Sequence, residues 1–379
     1  SVELTALSEH VYKDMTFIGN GNNEIKVGKV SINSISGVTV SSTGKTVVIY
    51  WTNPNIIKGK PYTGVIINYS TTGYPGLNGT QIYKGTGSST NANSQSNVTV
   101  TMPSLNTTYY FSIVPYLVIN GSIQYGSISN ISKKTGGEIN QSFTSSSSYT
   151  IPAGYSKMDV FLVGGGGGGG GTNGFNYFGG GGGGAGYTLT KKSITVSPKT
   201  VLTITIGSGG TGAEVGSNGG ISKIINGSTI LASVNGGSGG NNIKGGNGGS
   251  GGGSQDKYGY SGNAGGNNGG NGGANTTDIA KGQGTTTRAW GLSSGTLYAG
   301  GGGSGAGYDT NGHATGGAGG SGGGGKGADS YNREGSTSIV PVAGSNGTGG
   351  GGGGSRAQSN DIHAKGAKGG SGIILIKLY

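Results

Sequence analysis

Lys157-Met-Asp-Val-Phe-Leu-Val163 runs without a break into eight consecutive glycines, Gly164 to Gly171. The first part reads as a strand. The second has no side chains to bury. A further tract, Gly179–Gly184, follows, and strands resume at Gly186-Tyr-Thr-Leu-Thr190, Thr200-Val-Leu-Thr-Ile-Thr-Ile206, Ile221–Ile225 and Thr229–Val234. Glycine then dominates from Gly236 to Gly354, and the chain closes with Gly372-Ile-Ile-Leu-Ile-Lys-Leu-Tyr379, suited to a central strand. Ahead of the tracts, Phe143 and Tyr149-Thr-Ile151 read as strands, with Pro152-Ala-Gly154 as a turn. The pattern predicts a β-sandwich over 140–163, 186–234 and 372–379. Glycine tracts at 164–184 and 236–354 would form an excursion that leaves and returns at one end.

Residues 1–136 hold 15 of the chain's 93 glycines, and the 243 residues from 137 onward hold the other 78, about one third. Irregular spacing and only 8 prolines exclude collagen. A disordered linker of that length inside one domain would be unusual, so order is expected. Fixing each residue costs ~1–2 kcal/mol, with glycine at the unfavourable end, and burial cannot offset it. The backbone's own donor and acceptor remain. In the polyproline II geometry these groups point outward, three residues per turn, with no internal bonds. Without Cβ atoms, several such helices can approach and bond to one another. Each bond contributes only ~0.5–1.5 kcal/mol net, so isolated tracts would melt and a bundle is required. Eight residues at ~3.1 Å each span about 25 Å.

Residues 29–136 look different. Thr46-Val-Val-Ile-Tyr-Trp-Thr52 and Gly64-Val-Ile-Ile-Asn-Tyr-Ser70 alternate and are rich in strand formers. Further strands are expected at Thr80–Lys84, Asn97–Met102, Tyr109–Tyr116 and Ser122–Ser127, separated by Asn-Pro, Asn-Gly and Pro-Gly turn signals. This segment resembles a fibronectin type III domain. Trp51 stands where that family has a tryptophan late in its second strand, and Leu105-Asn-Thr-Thr-Tyr-Tyr-Phe111 resembles the corner before the sixth strand, with Tyr109 as the corner tyrosine. The leucine-to-tyrosine spacing is shorter than the family's. No acidic residue lies between Glu24 and Glu138, while lysines recur; a solvated basic spacer is the plain reading. Residues 1–28, with Val2, Leu4, Leu7, Val11 and Met15 on one helical face or packed on a neighbour, are expected to connect to something upstream. The chain begins with serine and no signal peptide precedes it, so a processed chain or an excised piece is expected.

Composition narrows the function. Without cysteine there is no disulfide scaffold, thiolate metal site or thiol nucleophile. No run of ~20 apolar residues exists to span a membrane as a helix. The net charge of +11 is spread thin, with no block of like charges, which argues against nucleic acid. His10, His313 and His363 are the only histidines. Asp309 near His313 and Asp361 near His363 are spacings that arise commonly. Gly236-Gly-Ser-Gly-Gly240 and Gly319-Gly-Ser-Gly-Gly323 match a nucleophile elbow, as a one-third-glycine sequence does by chance, and no strand–turn–helix surrounds them. No cofactor, metal or catalytic residue is expected.

From Phe143 through Ile151-Pro-Ala-Gly154 and Val160-Phe-Leu-Val-Gly, then Gly183-Gly-Ala-Gly-Tyr187, Thr203-Ile-Thr-Ile-Gly-Ser-Gly-Gly210 and Gly369-Gly-Ser-Gly-Ile-Ile-Leu-Ile376, the chain resembles the glycine-rich domain of viral tail proteins. More loosely, it is similar to the polyglycine-helix tips of T-even-type tail-fibre adhesins, whose distal loops select the host receptor. The resemblance implies a non-enzymatic, extracellular virion adhesin. Its partners would be a host cell-surface receptor (glycan or protein) and an upstream tail fibre or baseplate protein. A structural virion protein and a polysaccharide depolymerase are the rivals. Trimer or monomer is left open.

Six insertions break the tracts: Thr172–Phe178, Ser254–Ala264, Ala274–Ala299, Tyr308–Thr315, Ala328–Asn346 and Ser355–Lys365. They gather aromatics and cations, as recognition loops on rigid scaffolds do. Candidate receptor-binding residues are Tyr258, Tyr260, Arg288, Trp290, Tyr298, Tyr308, His313, Tyr331, Arg333, Arg356 and His363. The competing reading is that some rings, Trp290, Phe175 and Phe178 above all, plug the bundle's ends.

Overall fold

The computed structural model describes residues 16–18, 25–27, 32–55, 62–119, 121–172, 178–255, 261–274, 278–307, 313–331, 340–356 and 364–379. These residues are all-β, with no α-helix among them. The chain divides into two compact units, one of Ser1–Glu138 with Pro152–Tyr155 and Tyr379, the other of Ile139–Ile151 with Ser156–Leu378.

The first unit starts with an antiparallel pair, β1 (Thr16–Ile18) and β2 (Ile25–Val27); the helical face expected at Val2, Leu4, Leu7, Val11 and Met15 lies outside the described residues. Then come β3 (Ser36–Thr43), β4 (Thr46–Thr52), β5 (Gly64–Ser70), β6 (Thr80–Gly85), β7 (Gln95–Thr101), β8 (Thr108–Ile119), β9 (Ser122–Tyr125) and β10 (Ser129–Lys134). They form one sheet of order β3-β4-β7 and another of order β10-β8-β5-β6, with β9 also on β8. In β4 the side chains of Val47, Ile49 and Trp51 are buried, and they share one core with Val65 and Ile67 of β5 and Tyr109, Phe111 and Ile113 of β8.

β3 and β10 are missing from the expected strands: among their Ser, Thr, Asn and Lys residues the apolar signal is short, Val38 and Val40 in β3 and Ile131 in β10, which pack on the core from the sheet edges. β9 and β10 pair with the two ends of β8 and break between them, where the Pro115 carbonyl accepts from Gly126 N at 2.8 Å. Proline has no N–H to give on that side, so the neighbouring strand is interrupted there. Tyr109 at the start of β8 is buried, and its hydroxyl accepts from Ser104 N at 2.9 Å.

The second unit has two four-stranded sheets. One is β11 (Ile139–Phe143), β20 (Ile373–Leu378), β13 (Lys157–Val163) and β14 (Thr188–Thr195); the other is β12 (Ser147–Thr150), β15 (Val201–Thr205), β16 (Ser222–Asn226) and β17 (Thr229–Val234). β13 and β20 are antiparallel neighbours, with Val163 opposite Ile373. The first tract therefore leaves the sheet beside the returning last one, as the bracketing strands predicted. Val160, Leu162, Ile374, Ile376 and Leu378 are buried on one face and Phe161, Val163 and Ile373 on the other, so β13 is apolar on both sides.

Beyond the sheet the tracts bond with a period of three. Gly164, Gly167 and Gly170 donate to Tyr187, Gly184 and Gly181; Gly165, Gly168 and Gly171 to Gly220, Ser217 and Glu214; Gly166, Gly169 and Thr172 to Gly370, Ala367 and Ala364, all at 2.8–3.0 Å. Their carbonyls accept from three more segments: Gly237 and Gly240 bond to Gly165 and Gly168, Gly210 to Gly166, Gly352 and Ser355 to Gly167 and Gly170. Three donor and three acceptor directions per turn make six neighbours, which is what a three-fold helix without side chains permits. The spacing leaves no room for more. A Cβ on Gly167 would lie 2.0 Å from the Ser238 carbonyl oxygen, and one on Gly183 2.1 Å from that of Gly167.

The tract boundaries need one correction. Residues 207–220, expected to belong to the sandwich, form two bundle tracts, and 364–372 form the last one. Interspersed Thr, Ser, Asn and Ala had masked them, but small residues fit where their side chains point off the lattice.

Candidate functional site

The hydrogen bonds also fix which turns share an end of the second unit. Thr172 N bonds to Ala364 O, Gly171 N to Glu214 O, Gly180 N to Ser355 O, Gly305 N to Gly180 O, Ala306 N to Ala328 O, Ala328 N to Gly354 O and Ser254 N to Gly273 O, all within 2.7–3.0 Å. Each of the six insertions thus has at least one flank at the end away from the sheets, about 25 Å out for an eight-residue tract. A layer of small buried polar residues lies here: Thr172, Ser254, Gln255, Ser304, Asp329, Ser330 and Ser355. Asn263 Nδ2 donates to Ser254 O at 2.7 Å, and Asn263 N donates to Ser304 Oγ at 2.7 Å. Side-chain groups here take up the backbone partners left where the repeat stops.

Four of the named site residues can be placed in full. Arg356 is half-buried at this end, directly after buried Ser355. Two more are placed by their backbones: β18 (His313–Ala314) pairs antiparallel with β19 (Ser330–Tyr331), setting His313 opposite Tyr331. Tyr258, Tyr260, Tyr308, Arg333 and His363 lie outside the described residues, as do Phe175 and Tyr177. Phe178 is half-buried.

The other three, Arg288, Trp290 and Tyr298, call for a correction. The insertion Ala274–Ala299 is two features in one. Asp278 lies at the loop end beside Lys244, after which Gln283 N bonds to Gly249 O at 3.0 Å and the Gln283 side chain accepts from Thr188 N of β14 at 3.0 Å. The rest lies at the sheet end. Trp290 and Tyr298 pack on Phe161 of β13, with ring centroids 6.3 Å and 5.4 Å apart, in a cluster with Val163, Ala185, Ala289, Ala299 and Ile373. Burial pushes the Tyr298 phenol above its ordinary value. Arg288 Nη1 donates to Gly295 O at 2.9 Å, closing its own loop. The apolar second face of β13 needs a cover, and this segment supplies it. Composition alone could not separate a ring that caps a sheet from one that awaits a ligand.

Trp290→Ala is therefore expected to lower the second unit's stability by about 1–3 kcal/mol, from lost packing and ring contacts, with surface binding unchanged. Binding lost at unaltered stability, in paired urea titrations and binding isotherms, would return Trp290 to the recognition surface.

Two features at the loop end escaped the sequence reading. Ala213–Val215 forms a turn there with Val215 71% exposed. The turn at Asn241–Lys244 brings Lys244 Nζ within 3.7 Å of Asp278 Oδ1. An exposed valine inside a polar tract was the available signal for the first; the second joins residues far apart in sequence and had none. Among the described residues, no group of three or more His, Cys, Asp and Glu could hold a metal ion, and no helix is long and apolar enough to cross a membrane.

A β-sheet base carrying a glycine-rich bundle held by main-chain hydrogen bonds defines the class of protein. A family model described as a glycine-rich domain matches residues 140–379, and the chain belongs to that family. No curated protein matches the chain.

Proposed function

We propose that the chain is a non-enzymatic adhesin of a phage tail or tail-like particle, binding a host cell-surface receptor through the turns at the far end of its polyglycine bundle. The observation that carries this reading is that each of the six insertions has at least one flank at that end, beside a layer of buried polar residues. A stiff platform with variable, aromatic- and cation-bearing segments holds recognition groups in place without ordering cost at binding. The first unit, with sheets of order β3-β4-β7 and β10-β8-β5-β6 and its corner tyrosine, supports reading it as a fibronectin type III-like spacer towards an upstream fibre or baseplate protein. The setting would be extracellular, on the virion.

Fluorescently labelled protein is expected to stain some strains of a bacterial panel. Replacing residues 256–260, 308–312, 332–339 and 357–363 with Gly-Ser sequence of equal length should remove the staining while the second unit's melting curve is kept. Staining that persists after all four replacements would favour a structural virion role for these segments.

A further inference from the structure

The buried layer at the loop end contains a charged group that the bundle itself does not need. Asp329 is 2% exposed. Its Oδ1 accepts from Gly316 N at 2.7 Å, and Lys326 Nζ lies 2.9 Å from Oδ1 and 3.0 Å from Oδ2. Elsewhere in the bundle glycine N–H groups are met by main-chain carbonyls or by neutral side-chain oxygens, such as Asn218 Oδ1 for Gly239 and Ser254 Oγ for Gly245, which costs no charge burial. A carboxylate out of water is unfavourable unless paired and bonded, so its use here calls for a reason.

Its position supplies one. Gly316 stands two residues after β18, and Asp329 directly precedes β19. The carboxylate thus fastens the chain leaving one strand to the chain entering the other, beside the pairing of Ala314 with Ser330 and of His313 with Tyr331. A main-chain carbonyl could satisfy Gly316 from any tract; only a side chain at 329 ties it to β19. Below the strands, Gly327 N bonds to Gly317 O at 2.9 Å and Ala328 N to Gly354 O at 3.0 Å, so both segments stand on the lattice at adjoining points.

We propose that Asp329 is a positioning residue that locks β18 and β19 into one recognition element, so that the two segments act on the receptor together. The binding consequence rests on the adhesin reading; the mechanical one does not. In full-length Asp329→Ala, amide exchange at Ala314 and Ser330 should rise together by at least about tenfold, the loss expected of one charge-assisted bond. Exchange at Gly302 and Gly351, deep in the bundle, should stay unchanged. Apparent affinity for stained cells should fall by a similar factor. Asp329→Asn, which keeps an oxygen for Gly316 N, should recover part of both effects. Exchange that rises at one strand only, or not at all, overturns the coupling. Exchange rising equally at Gly302 and Gly351 makes Asp329 a bundle residue, and unchanged affinity with loosened strands removes its role in recognition; both outcomes sink the proposal. If the wild-type protein stains no cell, the adhesin reading fails, while the exchange data still judge the lock.

Discussion

Gly183→Ala should lower the melting temperature of the second unit by about 10 °C or more and leave the first unit's transition in place. The added methyl would sit 2.1 Å from Gly167 O, 2.7 Å from Gly167 C and 2.9 Å from Gly168 O, all backbone atoms that cannot swing aside. Relief requires the tract to move out of the lattice. Gly183 N, which donates to Gly352 O at 2.8 Å, and Gly183 O, which accepts from Gly302 N at 2.9 Å, would then be parted from their partners. Overpacking costs about 1–3 kcal/mol, and each buried group left unpaired about 1–3 kcal/mol more. The sum, about 5 kcal/mol, is comparable to the whole stability of many domains. In a unit of this size each kcal/mol is worth roughly 2–4 °C. Gly284→Ala is the contrast: nothing lies within 4 Å of its Cβ, and only its φ of +74° opposes the change, a penalty of about 1–2 kcal/mol. A Gly183→Ala protein melting within about 3 °C of wild type would show that the lattice is looser than its hydrogen bonds imply.

Trp51→Ala should cost the first unit about 3–5 kcal/mol, the range for deleting a buried large aromatic, and leave the second unit's transition unmoved. Trp51 is fully buried, and its Nε1 donates to Asn53 Oδ1 at 2.9 Å and to Tyr62 Oη at 3.1 Å. Asn53 Nδ2 in turn donates to Ser89 O at 3.0 Å and Asn91 O at 2.8 Å. The indole thus joins β4 to the loop before β7. Gly87 shows how tightly it is enclosed, since a Cβ there would lie 2.6 Å from the ring. Trp51→Phe keeps most of the volume and loses the donor, so about 1–2 kcal/mol is expected. Urea titrations followed separately for the two units would decide; equal costs for Ala and Phe would mean that the hydrogen bonds, not the ring, hold this core.

Much of the fold was legible because strands announce themselves through apolar spacing. β4, β5, β13, β15, β17 and β20 lie where alternation or apolar runs placed them. β3 and β10 were not read as strands, since each edge strand needs only one or two apolar residues, Val38 and Val40 or Ile131, to reach the core. At the candidate site, the insertions could be read as breaks in the glycine, but the end of the bundle that each part occupies could not. Arg288, Trp290 and Tyr298 were grouped with the displayed residues because a break in glycine looks alike at either end of a bundle. Asp329, in contrast, resembled a scattered acid, and its burial beside Gly316 had no counterpart in spacing.

Sequence by itself determined that the glycine tracts could order only through their main chain, because almost nothing apolar stands in them, and that an apolar strand stands at each end of the excursion. Which tract lies beside which was decided only in three dimensions. Every glycine offers the same N–H and the same C=O, so a tract carries no mark of its partner. β13 and β20 fix the first and last tracts side by side, and the partners of the tracts between them appear only in the folded hydrogen-bond lattice.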